Sequence, residues 1–132
     1  MNTTGHPPFF LSSIPAGFPS PADDFLEKPL DLNEHLIRRP ASTFFVRVQG
    51  ESMTGAGLFP GSILIVDRSV KPRQDSIVVA ILDGEFTVKR IRREAGQFIL
   101  YPDNPQFQPI MIKSGQEFAV WGVVIHAIRS FS

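Results

Sequence analysis

The chain has 132 residues, 42% of them hydrophobic, enough to bury a working core within one domain plus an arm. Thirteen basic and 13 acidic residues cancel, so no global charge draws it to nucleic acid or to an acidic membrane surface, and direct sequence-specific DNA binding is not expected. With no cysteine, disulfides, thiolate metal sites and cysteine nucleophiles are excluded, and a reducing compartment such as the cytoplasm suits the composition.

Seven of the 12 prolines (Pro7, Pro8, Pro15, Pro19, Pro21, Pro29 and Pro40) fall in the first 40 residues. Their fixed φ and missing donors discourage both helix and interior strand, so residues 1–40 are expected to form a flexible arm. Two short helical turns are expected to interrupt it. Ser20 can cap a turn over Pro21 to Glu27, and Asp31 with Glu34 three residues later has the form of a capping box. Residues 1–11 carry no basic flank before a long apolar core, and nowhere do 18 apolar residues run together. Export and membrane spanning are therefore not expected.

From Thr43 the pattern changes to β-branched and aromatic runs: Phe44 to Gln49, Ser62 to Asp67, Ser76 to Leu82, Glu85 to Arg92, Gln97 to Tyr101 and Glu117 to Ile128. Each predicts a strand. Asp83-Gly84 separates two of them with the chemistry of a type I′ turn, which predicts a hairpin of 76–82 with 85–92. Residues 41–132 are thus expected to be mainly β, a curled and mostly antiparallel body. The apolar run Phe118 to Ile125 is too hydrophobic to stand as an open edge, so it belongs in the core or at a dimer contact.

Ser52 follows Gly50-Glu51 at the end of a strand run, and Lys89 lies 37 positions later in Phe86-Thr87-Val88-Lys89. A serine hydroxyl becomes a nucleophile when a base takes its proton, and a neutral amine can be that base. Holding a lysine neutral near pH 7 costs on the order of 4 kcal/mol, which burial in an apolar sheet can supply. Alternation sets Lys89 on the face of Thr87 and Ile91, with Arg90 and Arg92 on the other. Thr87 can then orient the amine, Gly50 permits a tight approach to Ser52, and Met53 can wall the site. Backbone N–H groups of Glu51 or Ser52 can serve an oxyanion. Taken singly, a serine after glycine is usually a turn residue and a strand lysine a solvated one.

The set gains its weight from a family pattern. Gly17-Phe18-Pro19-Ser20-Pro21-Ala22, Asp31-Leu32-Asn33, Gly50-Glu51-Ser52-Met53, Asp83 to Lys89 and Gly122-Val123-Val124-Ile125-His126 occur in family order. From Gly17 to Ile128 the chain resembles the UmuD-type self-cleaving proteins of SOS mutagenesis and, more distantly, the C-terminal domains of LexA repressors. The resemblance implies a Ser-Lys peptidase that cuts its own arm at Ala16–Gly17 when stimulated by a RecA-type filament on single-stranded DNA. It also implies a homodimer whose processed form serves a UmuC-type Y-family polymerase in translesion synthesis. Residues 41–132 would be the peptidase and dimerisation domain.

Two features depart from the pattern: only 16 residues precede the expected cut, and Ala16 stands where enteric UmuD proteins have cysteine, as in LexA. Residues 1–40 are too short for a three-helix DNA-binding domain, which argues against a repressor. The missing hydrophobic anchor argues against a signal peptidase. His6, His35 and His126 follow no ligand spacing, so neither metal nor cofactor is expected. Lys89 to Arg93 reads as a solvated strand face rather than a nucleic-acid patch. The alternative function is a non-proteolytic dimeric module that recruits or regulates a polymerase.

Overall fold

The computed structural model of the chain describes residues 16–17 and 31–131. They belong to two compact units, divided between Arg38 and Arg39, and each is described by itself. In the first, Ala16 and Gly17 form an exposed bend. Helix α1 (Leu32–Leu36) begins at the expected cap, where the Asp31 carboxylate accepts from the Asn33 N–H at 3.0 Å. That bond satisfies one of the donors a helix start leaves open, and Glu34 places its charge in the same first turn. The turn expected over Pro21 to Glu27 lies outside the described residues.

The second unit is one antiparallel sheet. Its strands are β1 (Thr43–Arg47), β2 (Ile63–Asp67), β3 (Ile77–Leu82), β4 (Glu85–Glu94), β5 (Gln97–Tyr101), β6 (Ile110–Met111) and β7 (Phe118–Ile128). They lie in the order β1-β2-β7-β3-β4-β5-β6, so the mainly β, antiparallel body is the observed architecture, but as one open sheet with β1 and β6 as its edges rather than the curled body expected. The apolar final strand β7 sits between β2 and β3, where both sides of its backbone are paired. Six strands match the β-branched and aromatic runs. The seventh, β6, has only two residues and offers no period to read.

Two tight turns fix the register on either side of β4. At Asp83-Gly84 both residues take left-handed φ (48° and 82°), and Leu82 pairs with Glu85 as a type I′ hairpin requires. Ala95-Gly96 does the same between β4 and β5 (φ 50° and 80°), with Glu94 opposite Gln97. The Asp83 turn is also tied to β7: its carboxylate accepts from the Glu117 N–H at 3.1 Å, and its own N–H donates to the Glu117 carbonyl at 2.8 Å.

Neighbouring residues of β3 fall into different clusters. Val79 packs with Val48, Met53, Leu58, Leu64 and Val66, whereas Val78 packs with Ala80, Ile91, Leu100 and Val123. Period-two alternation therefore buries both faces of the sheet, which is why β2, β3 and β7 are apolar nearly throughout. The register of β7 shifts twice, leaving Ile125 extra opposite Ile65/Val66 and Trp121 extra opposite Val79/Ala80. Such bulges re-aim side chains. Beside the second one, a Cβ on Gly122 would lie 2.5 Å from Val66 Cγ1 and 3.3 Å from Arg68 Cγ, so glycine is needed there.

Candidate active site

Past β1 the chain turns through Gly50, whose left-handed φ of 80° brings Glu51 and Ser52 back over the sheet. Met53 anchors this loop, its side chain only 2% exposed within the first cluster. A 3-10 turn, Thr54–Ala56, follows and closes at Gly57 (φ 84°). The Met53 carbonyl accepts from the Ala56 and Leu58 N–H groups at 3.1 and 3.2 Å. Ser52 is thus held between a fixed glycine turn and a buried anchor.

Lys89 lies in the middle of β4, opposite the fully buried Val78, and is itself 8% exposed. Its Nζ meets three oxygens: Thr87 Oγ1 at 2.7 Å, Ser52 Oγ at 2.9 Å and the Val88 carbonyl at 3.2 Å. The serine, lysine and threonine singled out from the sequence therefore converge. Burial holds the lysine below its ordinary range, and no carboxylate among the described residues bonds it to restore the charge.

A neutral amine has two hydrogens and one lone pair. The Val88 carbonyl can only accept, and Thr87 Oγ1, at the shortest of the three distances, suits the second hydrogen. The lone pair is then left for the Ser52 hydroxyl. As an ammonium, Lys89 would donate to all three oxygens and leave Ser52 without a base. Among the described residues, the N–H groups of Glu51 and Ser52 donate to no protein acceptor, whereas the Glu51 carbonyl is taken up by Thr54 and Asn104.

A cleft of about 470 Å³ opens over the pair, bounded by residues 46–50 on one side, residues 86–89 on the other, and Trp121. Trp121 reaches it because of the bulge, and its ring meets Phe44 at 5.2 Å and Phe86 edge-on at 6.0 Å. Arg68 braces it from behind, with its guanidinium 4.6 Å from the ring centre and Nε donating to the Trp121 carbonyl at 2.9 Å. Neither Trp121 nor Asn104 was marked by the sequence reading. A tryptophan before a glycine in an apolar strand gave no sign of a bulge.

The remaining candidates separate. Ala16 and Gly17 belong to the other unit, where both are exposed. His126 pairs with Ile65 within the sheet, His35 lies in α1, and His6 is outside the described residues. Among the described residues, no group of three or more His, Asp or Glu side chains is placed to hold a metal. Nor is any helix among them long and apolar enough to cross a membrane. Arg90 and Arg92 are engaged at 2.6 Å by Asp103 and Asp75, and Arg93 lies over the Phe98 ring.

A family model described as Peptidase S24-like matches residues 8–125, most of the chain. This chain belongs to the S24-like peptidase family. This S24-like peptidase is 48% identical to protein SamA of Salmonella typhimurium over 93% of its own length and 87% of SamA. It is 46% identical to protein ImpA of Escherichia coli, over 92% of this chain and 83% of ImpA. To protein MucA of Escherichia coli it is 41% identical, over the same shares. These are UmuD-like relatives, so the resemblance read from the motifs holds at the level of the family.

Proposed function

We propose that this S24-like peptidase cuts its own arm between Ala16 and Gly17, with Ser52 as nucleophile and Lys89 as general base. Residues 1–40 are the cleavable arm, and residues 41–132 the peptidase and dimerisation domain. The observation that carries this reading is the 2.9 Å contact between Lys89 Nζ and Ser52 Oγ beneath an apolar-walled cleft.

The neutral amine takes the Ser52 proton as Oγ attacks the Ala16 carbonyl carbon. The oxyanion formed is met by the N–H groups of the Glu51-Ser52 segment, which donate to no acceptor among the described residues. Lys89, now an ammonium, gives its proton to the departing Gly17 nitrogen, and Ala16 remains on Ser52 as an ester. Water then attacks that ester with Lys89 again as base, releasing residues 1–16 and restoring the serine. Thr87 keeps the amine aimed throughout, and Met53 keeps the loop seated.

The UmuD-like relatives support a cytoplasmic role in the SOS response. There, a RecA-type filament on single-stranded DNA stimulates the cut, and the processed homodimer becomes the accessory subunit of a UmuC-type translesion polymerase. Intact mass of the purified protein, incubated with such a filament, tests the chemistry. The wild type is expected to lose the mass of residues 1–16, while Ser52→Ala and Lys89→Ala stay whole. If the wild type also keeps its arm, the non-proteolytic binding module takes the place of this reading.

A further inference from the structure

We infer that Asn104 is a positioning residue for the cut, acting through the peptide bond between Glu51 and Ser52. Its Nδ2 donates to the Glu51 carbonyl at 2.9 Å and approaches Thr54 Oγ1 at 3.3 Å. Its Oδ1 accepts from the Gln106 N–H at 2.9 Å, which fixes which end of the amide faces the serine loop. The Glu51 carbonyl belongs to the same trans peptide as the Ser52 N–H, and in a trans peptide the two bonds point in opposite directions. Holding the carbonyl toward Asn104 therefore aims the Ser52 N–H away from it, into the position of an oxyanion donor. That amide donates to no protein group among the described residues.

The clamp is tied to the strand that carries the base. Asp103 accepts from Arg90 Nε at 2.6 Å, and Arg90 is the residue after Lys89. The Asp103 carbonyl in turn accepts from the Gly55 N–H at 2.6 Å, at an approach so close that a Cβ on Gly55 would collide with it. One loop thus fastens the nucleophile's turn from Glu51 to Gly55 onto β4. It fixes the separation of Ser52 from Lys89 and, independently, the direction of the Ser52 amide. Among the described residues, no other side chain binds the Glu51 carbonyl from outside its own turn, since its remaining donors both come from Thr54.

This inference rests on the Ser-Lys reading above, and the test separates the two. Self-cleavage of the full chain is followed by intact mass across neutral to alkaline pH for wild type, Asn104→Ala, Asn104→Asp and Ser52→Ala. Amide NMR spectra of the same proteins report folding and the Ser52 N–H. Asn104→Ala is expected to slow cleavage on the order of tenfold, less than the roughly 10²-fold or more that follows outright loss of an oxyanion donor. Its pH midpoint should stay where the wild type has it, because Lys89 keeps all three of its oxygens. Asn104→Asp should be slower still at every pH, since it turns a carboxylate oxygen toward the Glu51 carbonyl. In both variants the Ser52 amide resonance should move while the rest of the spectrum stays folded. An unmoved Ser52 amide, a wild-type rate, or a loss of rate matched by unfolding would each overturn the clamp. If the wild type does not cleave, or Ser52→Ala does, the Ser-Lys reading falls, and the amide shift alone then decides the clamp.

Discussion

Lys89 has three oxygen neighbours and, when neutral, only two hydrogens to give them, and this count sets what the residue can do. Burial lowers its pKa, so the ammonium persists below that folded value and the base exists above it. The linkage to stability runs the same way. Between the lowered folded value and the ordinary lysine value of about 10.4, the unfolded chain binds more protons, so Lys89's contribution rises with pH and its cost is present in full below the window. Lys89→Met, which keeps an apolar stem without the charge, should abolish cleavage and yet unfold at an equal or higher urea midpoint at neutral pH. Thr87→Val removes one acceptor, worth on the order of 1 kcal/mol, and should slow cleavage about fivefold, with Thr87→Ser near wild type. Mass-based cleavage rates check both. Ser52 and Lys89, 37 positions apart, were legible because the family pattern carries both, and Thr87 because it lies two residues from Lys89 on the same strand face. Asn104 was not, because it meets Glu51 across 53 positions and only the folded loop brings them together.

At the level of elements, the pairing of strands was readable wherever a side-chain period or a turn dipeptide exists. Asp83-Gly84 announced its hairpin, while Ala95-Gly96 makes the same turn with a residue that carries no turn preference, so its register had to be seen. The bulges of β7 left no period to read, because both faces of the strand are apolar. They nevertheless decide the cleft, since the extra residue Trp121 walls it and Gly122 lets β7 approach β2. Gly122→Ala should therefore lower stability by about 1–3 kcal/mol through overpacking against Val66 and Arg68. A lower urea midpoint with unchanged slope is the expected result, and an unchanged midpoint would contradict the 2.5 Å clash of an added Cβ with Val66 Cγ1.

At the scale of the whole molecule, two acidic groups among the described residues have lowered pKa values and so add to the response to low pH. Asp67 is 1% exposed, and its carboxylate is held below the ordinary range first by the Ser69 hydroxyl, with the Ser69 N–H, the Ser42 hydroxyl and Arg39 adding to it against burial. Asp75 is held low by its bonds to Arg92. Both folded values lie below the unfolded one, so their contribution is complete above about pH 4 and is lost as pH falls through the folded values. Urea midpoints should thus be level from neutral pH to about pH 5 and drop below pH 4, with Asp67→Asn showing a shallower drop from a lower plateau. Net charge and composition spoke only to what the molecule does not need. They could not reveal that Arg39 reaches across 28 positions to Asp67, or that the serine loop is fastened to β4.

The central claim is that an uncharged Lys89 activates Ser52, and the rate of self-cleavage as a function of pH addresses it most directly. Intact mass of the wild type should show loss of residues 1–16 that quickens from neutral to alkaline pH and then levels off, with Ser52→Ala and Lys89→Met whole at every pH. A rate that is flat across that range, or cleavage that survives in Lys89→Met, would contradict it.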